Sequence, residues 1–507
     1  MNKKQSNQAY LIGIASCIFI SSACLLILEI AASRLLAPYI GASLYTWTAI
    51  IGVILAGLSI GNWIGGYGAE RGHADRNSAY ALIACSLFTL GIPYLLIHTA
   101  EFLQTGNFTL LESSLIYVVV LFSIPALLLG IVTPLLTTMA LDCSNFPGRI
   151  VGGMHALAAL GSIVGTFAAG FWLIPWLGTR WVVFTTGVIL GVLGLILLLS
   201  HRRNILGYIA LYLIFLGIAS QLNGLTSPCD EESQYYCIRV IDESTEYGPA
   251  RTLVLDHMVH SLNHEANPKL LITPYVHAMD ELMQRHFEHT KNHQPTAFFA
   301  GGGAYTQPRA MLARYPEARI EVAEIDPVVT ETATKQLYVD PRNLHVFHGD
   351  ARTRLPKLEL HSQDIIVTDV FHDVAVPWHL ITKEYAALVK SRLKYNGLYL
   401  INIVDQFPNA KLVKSLIKTL QTEFRHVQVW LEQPPSEIAR LTYVVSAGHR
   451  LQDPVLQSAD GVNRIWFDFK QPVTQVGTPT SKLPLLTDDH APVERLVSEF
   501  FHTNLGS

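Results

Sequence analysis

Apolar residues run almost unbroken through the first 222 positions, in blocks near 10–30, 45–67, 79–99, 113–139, 150–173, 181–200 and 204–222, separated by short polar punctuation. A bilayer core asks for about 17–25 consecutive apolar residues per helix. The pattern therefore predicts an α-helical transmembrane bundle of about seven spans. The fourth block carries Pro125 and Pro134, so it is expected to kink or to break in two. Beyond 222 the rhythm changes. Residues 223–233 are polar and turn-rich, and alternation over 236–242 and 250–256 predicts a hairpin turning at Gly248-Pro249. From Pro295 onward, apolar runs at 297–301, 319–324, 344–348, 364–369 and 397–404 alternate with helical patterns near 306–315, 327–337, 381–394 and 409–424, and two more runs follow at 427–431 and 440–446. Strands spaced by helix-length connections predict a doubly wound α/β fold, with a parallel sheet and an antiparallel end. The expected division is a membrane part over 1–222, a linker and small β-rich unit over 223–294, and an α/β domain over 295–507.

Charge follows the same division. Nine Lys/Arg and six Asp/Glu fall within residues 1–222, or 7%, against 21% in the remainder, and the two parts net +3 and −7. The second value is near the roughly 25% of ordinary soluble chains. Disorder, collagen-like sequence and a small disulfide scaffold are excluded, as is nucleic-acid binding driven by bulk positive charge. The first apolar block follows Lys3 and Lys4 but continues past any cleavage-like site, which favours an uncleaved first helix. With that terminus inside, the inner loops hold Lys3, Lys4, Arg71, Arg76, Arg149, Arg202 and Arg203, and the outer ones Arg180 and Arg34. An odd number of spans then places the soluble half outside. Within the bundle, Gly161 and Gly165, extended by Ala169 and preceded by Gly153, make a stripe suited to close helix packing. Glu29 and Arg34 are about 140° apart on a helix and are not expected to pair.

Chemistry concentrates at the ends of the predicted parallel strands. The first ends in Gly301-Gly302-Gly303-Ala304, where glycines let a ligand approach the backbone beside a helix start. The second ends in Glu324-Ile325-Asp326, placing an acid about 21 residues after the glycines, where a carboxylate can accept ribose hydroxyls. The third ends in Gly349-Asp350-Ala351 and the fourth in Asp369, and ligands of open α/β sheets bind at this carboxyl edge.

These motifs resemble the class I S-adenosylmethionine-dependent methyltransferase-type, Rossmann-like domain of the spermidine synthase (polyamine aminopropyltransferase) family. Residues 28–66, the segment Pro377–Glu384 and the segment Leu486–Glu494 are similar to multi-pass membrane proteins fused to such a domain. The resemblance implies a protein of the cell (inner) membrane that needs no prosthetic group and takes S-adenosylmethionine or its decarboxylated form as substrate. It implies that Gly301, Gly302, Gly303, Glu324, Asp326, Asp350 and Ala351 bind the nucleoside, with Glu324 on the ribose and Asp350 on the adenine. Asp369, Asp373 and Tyr275 would then be the catalytic residues. The implied reaction is aminopropyl transfer to an amine with release of methylthioadenosine. Implied partners are the nucleoside, a polyamine, membrane lipid and, as an open option, a second copy of the chain.

The sequence also departs from the family pattern. Ala304 stands where an Asp normally contacts the aminopropyl amine, Tyr275-Val276-His277-Ala278 replaces a Tyr-His-Glu stretch, and His372 precedes a displaced second acid at Asp373. An anionic pocket for a multivalent amine is thinned, and loss of the acid at 304 suits a substrate that keeps its carboxylate. Methyl transfer, cyclisation or elimination of a sulfonium nucleoside without a polyamine therefore stays open, as does a non-catalytic or transport-linked binding role.

Two histidine sets, His257/His260/His264 and His286/His289/His293, have i, i+3, i+7 spacing that could line one helix face, but no fourth metal ligand stands at a recognised distance. Asp488-Asp489 before Pro492 reads either as a helix cap or, by resemblance, as a border of the active site. Cys229 and Cys237 lie close enough in sequence to pair in an oxidising compartment. That would agree with an exterior domain, whereas S-adenosylmethionine is a cytosolic metabolite.

Overall fold

A computed structural model describes residues 3–498, apart from 107, 144, 200–206, 208, 211, 214–216, 218–222, 372–375 and 434–438. The chain divides into two compact units, Met1–Gln234 and Tyr235–Thr503.

The first unit contains helices α1 (Lys3–Ile40), α2 (Leu44–Glu70), α3 (Ala74–Thr105), α4 (Leu110–Leu141), α5 (Pro147–Ala168) and α6 (Thr179–Leu198). Among the described residues, six helices are long and apolar enough to cross a membrane. Most of the expected seventh block, 204–222, lies outside the described residues. Polar side chains set several helix starts. Ser43 Oγ accepts from Thr46 N at α2, and Thr109 and Glu112 form a reciprocal capping box at α4. Glu232 accepts from both the backbone N and the hydroxyl of Thr179, at 2.9 and 2.7 Å, at the start of α6. Arg34 donates to the Ser233 carbonyl at 2.7 Å.

The expected break at Pro125 and Pro134 does not occur, because α4 runs through both. Hydroxyls of Thr137 and Thr138 donate to the carbonyls of Thr133 and Pro134, and the Cys85 thiol donates to Pro125 O. These bonds brace α4 beside the two prolines, which deprive Leu121 O and Gly130 O of their helical donors.

Glycine brings the helices into backbone contact. A Cβ on Gly161 or Gly165 would fall 2.2 Å from Phe19 O or 2.3 Å from Ala23 O of α1, while Gly153 faces open space. A second stripe that hydropathy does not reveal, Gly57/Gly61/Gly65 of α2, lies on α4, and a Cβ on Gly61 would meet Leu127 O at 2.1 Å. Gly61→Ile is expected to lower the thermal midpoint of the detergent-solubilised protein by the equivalent of about 1–3 kcal/mol, as overpacking does. Gly153→Ile is the neutral control, and equal midpoints for the two variants would refute the packing account.

The second unit opens with a meander of β2 (Cys237–Thr245), β3 (Gly248–Leu255) and β4 (Met258–His264), numbered after the two-residue strand β1 (Glu231–Glu232) that closes the first unit. The β2–β3 turn is made by Glu246 and Tyr247, not by Gly248-Pro249 as expected. Thr245 Oγ1 accepts from Tyr247 N and donates to Gly248 O, so Gly248 already belongs to β3. An unexpected helix, α7 (Pro274–Thr290), follows and buries Val276, Met279, Leu282, Met283 and Phe287.

The remaining chain builds one nine-stranded sheet from β5 (Thr296–Ala300), β6 (Arg319–Glu324), β7 (Leu344–His348), β8 (Gln363–Thr368), β9 (Leu393–Phe407), β10 (Val427–Leu431), β11 (Ala439–Gly448), β12 (Val455–Gln457) and β13 (Ile465–Asp468). Their order is β12-β13-β10-β11-β9-β8-β5-β6-β7. Strands β9-β8-β5-β6-β7 are parallel and the other end is antiparallel. Helices α8 (Thr306–Arg314), α9 (Pro327–Gln336), α10 (Ala351–Arg354), α11 (Lys383–Arg392) and α12 (Lys411–Leu420) connect them. Phe298, Phe299, Val322, Ile365, Val367 and Leu400 are buried in the sheet's core.

Register positions the site. Ala300 lies opposite both Ala323 and Thr368, and Thr368 opposite Ile401. Gly301, Glu324, Asp369 and Asn402 thus follow one row across four strands.

The helical histidine faces are corrected. His257 lies in the β3–β4 turn and His260 and His264 in a strand, while His293 falls beyond the end of α7. Among the described residues no group of three or more His, Cys, Asp or Glu is arranged to hold a metal ion. Cys17, Cys24, Cys85 and Cys143 are free thiols, and Cys229 and Cys237 are disulfide-bonded.

Candidate active site

The turn after β5 is shaped by its neighbours. Gly301 N donates to Ala323 O at 2.9 Å with φ at +94°, and a Cβ there would stand 2.3 Å from Asp369 O. Glycine is needed for both the dihedral and the space. Ala304 is buried, and its carbonyl accepts from Asn263 Nδ2 at 2.8 Å.

Glu324, at the end of β6, turns back onto this loop. Its carboxylate accepts from Gly302 N at 2.8 Å, Gly303 N at 3.4 Å and Asp326 N at 2.9 Å. Burial raises its pKa above the usual carboxylate range against those three amides. Asp326 is buried and caps α9, accepting from Val328 N at 3.0 Å, so this carboxylate serves the backbone.

Asp350 caps α10 by accepting from Arg352 N at 2.7 Å, and its other oxygen lies 2.7 Å from His379 Nε2. The His379 contact holds its carboxyl below the ordinary range. Ala351 is buried behind it. Arg352 donates to His379 O at 2.7 Å and forms a two-pronged pair with Asp488, which also accepts from the Thr382 hydroxyl at 2.7 Å. The cap reading of Asp488-Asp489 is thereby corrected. Helix α13 (Val493–Leu496) starts after Pro492, and the Arg352 guanidinium claims Asp488 instead.

Asp369 is the acid at the end of β8. Asn402 Nδ2 donates to its Oδ1 at 2.9 Å, and the Tyr275 side chain of α7 stands beside it. The Tyr275 hydroxyl is also 2.8 Å from His260 O, to which it donates. Loss of solvation pushes the Asp369 pKa up to about 6 despite both contacts, and it raises that of Tyr275. His260 and His257 lie beyond, both held neutral by burial with pKa values near 4, the latter opposed also by Arg440, His260 and Arg239. Asp373 and His372 lie outside the described residues.

The row therefore brings together the glycine turn, Glu324, Asp350, Asp369 and Tyr275. His379, Asn402, Arg352 and Asp488 also shape it; the sequence singles out Asp488 and the segment around His379 by resemblance, but neither Arg352 nor Asn402.

No family profile matches the chain. It is 34% identical over 127 residues to a polyamine aminopropyltransferase of Vibrio vulnificus (strain CMCP6), covering 24% of this chain and 41% of that protein. A probable polyamine aminopropyl transferase of Bifidobacterium longum (strain NCC 2705) is 22% identical over 40% of this chain and 48% of its own length. The chain thus spans less than half the length of these two relatives. Polyamine aminopropyltransferase 2 of Aquifex aeolicus (strain VF5) is 22% identical over 80% of this chain and 82% of its own. Among solved structures, a probable spermidine synthase from Corynebacterium glutamicum ATCC 13032 aligns at 18% identity and a TM-score of 0.45, over 53% of this chain and 99% of that one. The chain is thus similar to polyamine aminopropyltransferases and, among the described residues, carries six apolar helices ahead of the α/β unit.

Proposed function

We propose that this chain is a multi-pass enzyme of the cell membrane that binds a sulfonium nucleoside and transfers an aminopropyl group from decarboxylated S-adenosylmethionine to an amine, releasing methylthioadenosine. The observation that carries this reading is Asp369, a buried carboxyl held by Asn402 with Tyr275 beside it, in the same row as the glycine turn and Glu324. Relatives called aminopropyltransferases support the reaction class. The six apolar helices support the membrane assignment, and the oxidised Cys229 and Cys237 support an oxidising compartment for their segment.

In this scheme the backbone of Gly301–Gly303 takes the ligand's close approach, Glu324 exchanges its amide bonds for the ribose hydroxyls, and Asp350, steadied by His379, receives the adenine amino group. The amine nitrogen attacks the carbon bonded to the sulfonium sulfur, and the carbon–sulfur bond breaks to leave neutral methylthioadenosine. The attacking amine loses one proton, and ionised Asp369 is placed to take it. Holding two reactants together removes much of the entropic barrier, and a base matched to neutral pH contributes further. Asn402 fixes the orientation of that base.

A second reading is elimination or cyclisation of S-adenosylmethionine itself, favoured by Ala304, which leaves that position of the glycine turn without an acid. Purified protein given either nucleoside, with and without spermidine or putrescine, decides between them. Methylthioadenosine release that requires an amine is the expected outcome. Release without amine would replace the main reading by the second, and release from neither nucleoside would refute both.

A further inference from the structure

A second cleft lies away from this row, where β10 begins and β11 ends. Its cavity measures about 510 Å³ and is lined by Arg425, His426, Gln428, Arg450, Asp468 and Lys470, among others. Val427 lies opposite Ala447, and Ala447 opposite Tyr399, which lies opposite Ile366, three residues before Asp369. β10 is also three strands along the sheet from β8. At about 4.8 Å per strand the lateral separation alone is roughly 14 Å.

The charge in this cleft is one-sided. Arg425, Arg450 and Lys470 supply three cations, and among the described residues none of them has an ion-pair partner. The single acid, Asp468, is committed to the backbone and to an amide. Gln428 Nε2 donates to it at 3.1 Å, Lys470 N at 3.2 Å and Val429 N at 3.4 Å. Gln428 is itself fixed by Leu451, donating to its carbonyl and accepting from its N. The acid thus braces β10 against β13, while the three cations line the cavity. Burial lowers the Lys470 pKa, and neighbouring Arg450 adds to that against Asp468. This excess of positive charge occurs in a half of the chain that nets −7.

We propose that this cleft binds a phosphate group carried on a small organic body. Two guanidinium forks and an ammonium match the anionic oxygens that a phosphate monoester and a phosphodiester both present. The volume falls in the roughly 300–1,000 Å³ range of small-molecule sites, larger than one oxyanion needs. The phosphate could be delivered free or as a lipid headgroup, and the two sources share this recognition.

The full chain in neutral detergent would be titrated calorimetrically with glycerol 1-phosphate and with inorganic pyrophosphate. In parallel, it would be reconstituted with phosphatidylcholine vesicles containing or lacking phosphatidylglycerol. Saturable binding is expected for at least one probe, weakened about 10–100-fold in Arg450→Ala and Lys470→Ala, as loss of one charge-assisted contact requires. The exposed Lys335→Ala variant should bind as the parent does. All three variants should keep the parental melting temperature and methylthioadenosine release. Binding of glycerol 1-phosphate or pyrophosphate assigns a soluble ligand, and response to phosphatidylglycerol alone assigns a headgroup. No saturable binding to any probe, or equal weakening by Lys335→Ala, overturns the proposal.

Discussion

Asp369→Asn is expected to slow methylthioadenosine release by about 10²–10⁴-fold in kcat/KM, the contribution of a positioned general base. That is a barrier increase of about 3–5 kcal/mol. The substitution keeps the volume and one acceptor oxygen, so fold and nucleoside affinity should persist. In the parent, the folded carboxyl has its pKa raised from 3.8 to about 6, so folding favours its protonated form. Its ionisation costs stability as pH rises through that value, and the cost is absent below the unfolded pKa. The variant should therefore melt no lower than the parent at pH 8, and any gain should shrink as pH falls below 6. Parental activity should follow the opposite course, rising with pH through about 6 as the base loses its proton. A variant that keeps more than a tenth of parental turnover, measured by chromatographic detection of methylthioadenosine, would remove Asp369 from the proposed role.

Gly301→Ala should do comparable damage by a different route. The new Cβ would stand 2.3 Å from Asp369 O and 2.8 Å from Val370 Cγ1, at a φ of +94° that side chains rarely adopt. Left-handed backbone costs about 1–2 kcal/mol and overpacking about 1–3. Together they predict a loss of roughly 2–5 kcal/mol in denaturant unfolding of the α/β unit. Because the clash is with the residue bearing the proposed base, release of methylthioadenosine should fall even where the variant remains folded. Gly303→Ala is the informative contrast. Its Cβ would meet nothing within 4 Å, so only the strain of φ +50° applies. Equal stability losses at 301 and 303 would refute the assignment of the damage to the Asp369 contact.

The parallel sheet was legible because its strands are short apolar runs that end in glycine or acid, and every run from 297 to 446 found a strand within a few residues. Helix α7 was hidden. Its apolar stripe is interleaved with Asp280, Glu281 and His286, polar groups that are buried in the fold, the two acids by pairing with Arg314 and Arg285, so periodicity is blurred. Strands β12 and β13 are three and four residues long, too short to show alternation. Of the site, the groups at strand ends could be read from position. The partners that orient them, His379 for Asp350 and Asn402 for Asp369, come from segments far along the chain, and spacing carries no information about such pairings. Glu324 and Asp326 show the converse. Both stand where a ribose ligand is expected, yet backbone amides occupy them, one bridging the glycine turn and the other capping α9.

The Arg352–Asp488 pair joins positions 136 residues apart. A chain emerging from the ribosome at about 5–20 residues per second would expose Arg352 some 7–27 seconds before its carboxylate partner could arrive. Asp350 and His379 can meet long before that, so the two sides of this corner are assembled on different clocks. The corner around Asp350 is therefore among the last parts of the sheet edge to be completed during synthesis. A nascent chain arrested short of residue 488 would carry the glycine turn and Asp369 but an Arg352 without that acid.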